Sequence, residues 1–282
     1  MLNLISGDVV ADGTKLHYYR SGGEKPPLVC VHGITDDGLC WAPVAEALCG
    51  EFDVILVDMR GHGRSEAPED GYTLEKMARE LAGLIQALGL EKPVILGHSM
   101  GAIATLTLAG LFPELPSAIL LEDPPAFWRS QEDDFGRAQN RNSLEDWIYS
   151  NKRKTWDDLL AELRTNNPTW SEAEVKPWID SKHLFSLKIA ALVNPADLVS
   201  INFPSLVRRI SCPALFISAD PKCGAASGED DIARLKVGLP QLQVVQIPGA
   251  GHSIRRDQFD RYMAVVRQAL VELQAKEKSA AR

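Results

Sequence analysis

The segment Gly97-His98-Ser99-Met100-Gly101 sets one hydroxyl between two glycines, directly after the apolar run Pro93-Val94-Ile95-Leu96. A strand that turns sharply into a helix at such a segment pushes the central side chain into a tight, exposed bend. Glycines two residues to either side keep that bend free of clashing side chains. The amides of the helix's first turn then point toward any negative charge that forms beside the serine. Ser99 is therefore the candidate nucleophile. A serine hydroxyl is weakly nucleophilic at neutral pH, so it needs a base within hydrogen-bond reach and a group that orients the base. Of the six histidines, His252 lies in Pro248-Gly249-Ala250-Gly251-His252-Ser253, a glycine-rich loop between the last predicted strand and the last predicted helix. Such a loop can aim an imidazole at the bend bearing Ser99, which makes His252 the candidate general base. His98 is fixed beside the serine and reads as support for the turn. His17, His62 and His183 have no matching setting.

Attack on a carbonyl creates an oxyanion, which needs donors already in place. The backbone N–H of Met100, at the predicted helix start, is one. The loop His32-Gly33-Ile34-Thr35-Asp36-Asp37-Gly38 follows the apolar run Leu28–Val31 and offers the other at the N–H of Ile34, with Gly33 allowing close backbone approach. His32 reads as a brace for that loop. Asp58 to Ser65 carries glycines and arginines but lacks the G-x-x-x-x-G-K-[ST] order of a phosphate loop, so it reads as a structural turn.

These residues need a scaffold that brings strand ends together. Ile5–Val10 and Lys15–Arg20 flank Ala11-Asp12-Gly13-Thr14, a hairpin signal. Buried-type strands are predicted at 28–31, 53–57, 94–96 and 118–121. Helices are predicted at 41–48, 74–88 and 100–112, the second with apolar residues at 74, 77, 78, 81, 84, 85 and 88. This alternation implies a parallel sheet with helices on both faces. Between about Pro124 and Ile210 it stops, and helical segments near 143–150, 155–165, 171–186 and 195–202 take over. Five of the six tryptophans fall here: Trp128, Trp147, Trp156, Trp170 and Trp178. An aromatic-rich helical insert reads as a lid over a pocket, with some of these rings packing the insert itself, and Trp128 is singled out as a candidate substrate contact. The alternation resumes with strands 213–218 and 242–247, helices 229–239 and 258–273, and a polar tail from Lys276 expected to fray.

Composition narrows the partners. The chain has 282 residues, 45% hydrophobic, enough for a large core. A net charge of −8 disfavours nucleic acid or an anionic membrane as the main partner and reads as solubility. The five cysteines are odd in number and form no C-x-x-C, which suits a reduced, cytoplasmic setting. No basic region followed by an apolar stretch opens the chain, and the apolar run Met100–Phe112 is too short to span a bilayer. No metal-ligand spacing is present, so neither metal nor cofactor is expected. Either a monomer or a homodimer fits.

Taken together, the segments resemble an α/β-hydrolase-fold enzyme with a cap. The resemblance rests on His32-Gly33, Asp58-Met59-Arg60-Gly61-His62-Gly63-Arg64-Ser65, Gly97-His98-Ser99-Met100-Gly101 and Gly251-His252, in the family's order along nearly the whole chain. It implies a mostly parallel eight-stranded sheet flanked by helices, with a helical cap inserted after the sixth strand. The core then comprises 1–123 and 206–282, and the cap 124–205. It also implies the order nucleophile, acid, histidine. The family's common acid site follows strand 213–218, where Ser218-Ala219-Asp220-Pro221-Lys222 offers Asp220 two residues early. Another branch sets the acid about two dozen residues beyond the nucleophile. There Leu121-Glu122-Asp123-Pro124-Pro125 offers Asp123, twenty-four residues after Ser99, with Glu122 as neighbour. Asp123 is favoured, and the carboxylates not used are expected to cap a loop or pair with an arginine. The resemblance implies hydrolysis of a small to medium apolar ester or lactone through an acyl-enzyme. Alternatives are carbon–carbon bond hydrolysis or cofactor-free peroxidase chemistry on the same residues, or a receptor-like binding protein with residual hydrolysis. Serine in place of aspartate excludes dehalogenase and epoxide hydrolase chemistry.

Overall fold

A computed structural model describes residues 3–126, 134–193 and 201–280. Runs of Val, Ile and Leu bury both faces of the central strands, as expected when helices cover a parallel sheet on each side. The strands are β1 (Ile5–Ala11), β2 (Thr14–Arg20), β3 (Pro27–Val31), β4 (Asp53–Val57), β5 (Val94–His98), β6 (Ala118–Glu122), β7 (Ala214–Ser218) and β8 (Leu242–Gln246). They form one eight-stranded sheet in the order β1-β2-β4-β3-β5-β6-β7-β8. The β1–β2 hairpin and the β2–β4 pair are antiparallel, and every pair from β4 to β8 is parallel.

Topology and register bring the loops together. After β3 the chain moves outward to β4, then crosses back to β5 on the other side of β3, which opens a crevice at the carboxyl ends of the strands. Val31 pairs with Gly97, and His98 with Glu122. The residues that leave β3, β5 and β6 therefore emerge side by side.

The helices are α1 (Ala42–Leu48), α2 (Leu74–Ala87), α3 (Met100–Leu111), α4 (Asp134–Arg153), α5 (Trp156–Asn166), α6 (Glu172–Leu184), α7 (Phe203–Val207), α8 (Glu229–Gly238), α9 (Ile254–Asp257) and α10 (Phe259–Ala280). Thr73 caps α2 by accepting from the Lys76 N–H, and the helix buries its 74/77/78/81/84/85 face. Helix α3 is buried from Met100 through Gly110. One core joins α2 and α3 to the sheet, and a second joins α1 and α10 to the opposite face. Helix α7 packs Phe203, Leu206 and Val207 with α3 residues. Between β6 and β7 lie α4, α5, α6 and a 3₁₀ segment, Leu187–Val193. Leu159, Leu163, Trp170, Val175 and Ile179 form a small core within this insertion.

Four details depart from the sequence reading. Helix α4 begins at Asp134, nine residues before the expected 143. The helix expected at 41–48 begins as a 3₁₀ turn, Gly38–Trp41, because Asp37 accepts from the Cys40 N–H and stops the loop there. A separate short helix, α9, precedes the last one. The last helix also runs on to Ala280, since the Ala-, Glu- and Lys-rich tail is rich in good helix formers. Trp128 and most of the helix expected at 195–202 lie outside the described residues. No helix among the described residues is long and apolar enough to cross a membrane.

Candidate active site

Ser99 occupies the N-cap position of α3 with φ 52° and ψ −116°, a sparsely populated region for a residue bearing a Cβ. Its N–H donates to the Glu122 carbonyl at 3.0 Å, which ties the bend to the end of β6. The flanking glycines are required by proximity. A Cβ at Gly97 would lie 2.4 Å from the Gly101 oxygen, and one at Gly101 would lie 2.2 Å from the Val31 oxygen. Gly33 is equally constrained, since its Cβ would meet His98 Nδ1 at 2.7 Å.

The last loop brings His252 to this bend. Its Nε2 lies 2.9 Å from Ser99 Oγ, and its Nδ1 lies 2.6 Å from Asp123 Oδ2. With the carboxylate accepting from Nδ1–H, Nε2 is the bare nitrogen and accepts from the serine hydroxyl. Asp123 is fully buried, and its Oδ2 also accepts from the Ala226 N–H at 2.9 Å. It too holds a left-handed backbone, with φ 40°.

The two other carboxylates are engaged elsewhere. Asp220 accepts from the N–H groups of Lys222 and Gly249, so it caps a loop. Glu122 accepts from Arg255 through its backbone N–H and through Nη1, both at 3.0 Å. Burial pushes the Glu122 carboxyl up, against the pull of Arg255.

His98 donates from Nε2 to the His252 carbonyl at 3.0 Å, and the two rings stand 4.9 Å apart. Burial, then the nearby Arg255 and His252, push the His98 imidazole well below its ordinary value, so it stays neutral. His32 donates from Nδ1 to the Gly33 carbonyl and accepts the Met59 N–H at Nε2, bracing the loop that carries Ile34. Asp58 accepts from the N–H groups of Gly38 and Arg64, which folds the 58–65 segment into a turn. Met100 is the first residue of α3, so its N–H has no acceptor within the helix. Ile34 lines the same cavity as Ser99 and His252.

That cavity, of about 900 Å³, is also lined by Trp147, Trp170 and Trp178 from the insertion. Trp170 reaches the histidine loop through Asp257. Its Nε1–H donates to Oδ1 at 2.7 Å, while Oδ2 accepts the Gly251 N–H at 2.7 Å.

One group of residues beside the site escaped sequence reading. Asp36 bonds Lys182 Nζ at 3.0 Å and Arg256 Nη2 at 2.8 Å, with Arg255 Nη2 at 3.4 Å. Arg256 Nε meets Glu174 Oε2 at 3.3 Å. All six charges, Glu122 included, are buried. Burial pushes the Asp36 carboxyl up, but Arg256, Lys182 and Arg255 together draw it well below its ordinary value. The dipeptides Asp36-Asp37, in the loop after β3, and Arg255-Arg256, in α9 directly after the histidine loop, were the available signal. Lys182 had none, because it reaches Asp36 across 146 residues.

Comparison with known proteins identifies the family. The family model for the alpha/beta hydrolase fold matches residues 26–255. The chain is 29% identical over 260 residues to an N-formylmaleamate deformylase of Pseudomonas putida, covering 92% of this chain and 93% of that one. It is 28% identical over 243 residues to a 2-(acetamidomethylene)succinate hydrolase of Mesorhizobium japonicum, covering 83% and 84%. The crystal structure of an E-2-(acetamidomethylene)succinate hydrolase superposes with a TM-score of 0.80 at 23% identity, over 94% of this chain and 98% of that one.

Proposed function

The chain belongs to the alpha/beta hydrolase fold family, and from that premise we propose that it is a serine hydrolase in which Ser99, His252 and Asp123 form the catalytic triad. The reading is carried by one observation, the continuous chain from Ser99 Oγ to His252 Nε2 at 2.9 Å and from His252 Nδ1 to Asp123 Oδ2 at 2.6 Å. Ser99 Oγ attacks the substrate carbonyl while His252 takes the hydroxyl proton. The N–H groups of Ile34 and Met100 hold the oxyanion. His252 returns its proton to the leaving group, and an acyl-enzyme remains. Water deprotonated by His252 then releases the acid. Asp123 keeps the imidazole in its working tautomer and stabilises the imidazolium.

The scissile bond in this reading is a carboxylic ester or lactone, since an alkoxide leaves more readily than an amine. A second reading, an N-acyl bond, is favoured by two relatives, the N-formylmaleamate deformylase and the 2-(acetamidomethylene)succinate hydrolase, each matched over more than four-fifths of this chain. The helical insertion acts as the cap, with Trp147, Trp170 and Trp178 closing the pocket over a small to medium acyl or ring-bearing substrate. Turnover of a short-chain ester, a lactone, an N-formyl amide and a vinylogous diketone separates the readings. Ester or lactone turnover supports the first, and exclusive N-formyl turnover the second. Diketone turnover alone contradicts both.

A further inference from the structure

The groups assigned to chemistry above come from four distant segments: the loop after β3, the bend after β5, the end of β6 and the loop before α9. A single buried cluster joins them. Among the described residues Asp36 is the one carboxylate in contact with all three of its cations: Lys182, Arg255 and Arg256. Arg255 passes the connection to Glu122 at 3.0 Å, and the Glu122 carbonyl accepts the Ser99 N–H. Lys182 also donates to the Thr35 carbonyl at 3.2 Å, and Thr35 holds a left-handed backbone with φ 66°. A β-branched residue does not keep that conformation unless its surroundings impose it. Asp36 lies two residues after Ile34. Arg255 and Arg256 lie three and four residues after His252. Lys182 belongs to α6 of the insertion.

We propose that Asp36 is a positioning residue: its carboxylate fixes the Ile34 N–H against the histidine loop and latches helix α6 onto both. The proposal rests on the serine hydrolase reading. Asp36 touches no reacting atom in it. Its effect falls on the alignment of the oxyanion donor, and so on the rate of the tetrahedral step. Binding of uncharged reactant is not its task.

A 4-nitrophenyl alkylphosphonate tests this without knowledge of the natural substrate. Ser99 Oγ bonds to phosphorus, His252 takes the hydroxyl proton, and 4-nitrophenolate leaves with its bonding electron pair. The phosphoryl oxygen takes the place of the oxyanion. The wild-type chain releases one equivalent of 4-nitrophenolate per site, and Ser99→Ala releases none. Asp36→Asn still releases one equivalent, at a rate at least about 30-fold lower, in keeping with a misaligned oxyanion donor. Its saturation constant stays within about threefold of wild type, because ground-state binding is intact.

Asp36→Asn also leaves three buried cations facing two carboxylates, which destabilises the fold. The double variant Asp36→Asn/Lys182→Met restores the balance. It regains thermal stability over Asp36→Asn, yet its phosphonylation stays slow. Wild-type rates in Asp36→Asn, or recovery of the rate together with stability in the double variant, overturn the proposal. Absence of release from the wild type, or release from Ser99→Ala, overturns the serine hydrolase reading instead.

Discussion

At the scale of single residues, Ser99 and His252 were readable as candidates because each has a local signature, and the structure sets them 2.9 Å apart. Two glycines bracket a serine at a strand end, and a glycine-rich loop carries a histidine before the last helix. The acid had no such signature. Asp123 and Asp220 follow the carboxyl ends of the neighbouring strands β6 and β7, and spacing alone does not tell which carboxylate turns toward the imidazole. The structure sets Asp123 at His252 Nδ1 and engages Asp220 with the N–H groups of Lys222 and Gly249. Asp123→Asn is accordingly expected to lower kcat by about 10⁴-fold, the loss seen when a triad aspartate no longer sets the histidine tautomer. Asp220→Asn keeps wild-type turnover within about threefold, since an amide oxygen still accepts one of the two loop N–H groups and the residue touches no reacting atom. Steady-state kinetics on an activated ester compares the two, and a larger loss in Asp220→Asn would reverse the assignment.

At the scale of elements, the strands and helices α2, α3, α5 and α6 were legible to within a few residues, whereas α4 begins nine residues before the expected 143 and α10 ends seven residues after the expected 273. The 3₁₀ turn at Gly38–Trp41 was not, because a cap made by Asp37 leaves no periodic trace. Burial, then the nearby Asp58 and Asp36 charges, push the Asp37 carboxyl up to about 7 from its ordinary 3.8. The unfolded chain ionises Asp37 above about pH 4, whereas the folded chain holds the proton until about pH 7. Stability from this group therefore falls as pH rises through that window. Asp37→Asn keeps the cap and removes the penalty. Its gain in Tm is expected to be larger at pH 8 than at pH 5, by at least about 2 °C. An equal gain at both pH values would show that Asp37 ionises freely in the folded state. The bend at Ser99 gives a second prediction at this scale. Gly101→Ala forces a Cβ to within 2.2 Å of the Val31 oxygen, whereas Gly50 has nothing within 4 Å. Overpacking of this kind costs at least about 2 kcal/mol. Denaturant unfolding should show that loss for Gly101→Ala and almost none for Gly50→Ala.

At the scale of the whole molecule, the alternation of strands and helices marked out the sheet, and its break marked the insertion between β6 and β7. How the insertion meets the sheet was not legible. Two of its ties to the core, Lys182 to Asp36 and Trp170 to Asp257, join residues 146 and 87 positions apart. Neither pair carries a motif. If the insertion is the cap proposed above, Trp147 can be removed with little structural penalty, since its side chain is partly exposed while lining the cavity. Trp147→Ala should raise KM for longer-chain 4-nitrophenyl esters more than for the acetate, with Tm almost unchanged. Equal KM values along the series would place the acyl group elsewhere. The central claim, that distant segments converge to activate one hydroxyl, is tested most directly by peptide mass mapping after reaction with a fluorophosphonate. One adduct per chain is expected, on the peptide containing Ser99, with its loss in His252→Ala at neutral pH. An adduct on any other residue, or full labelling without His252, would contradict it.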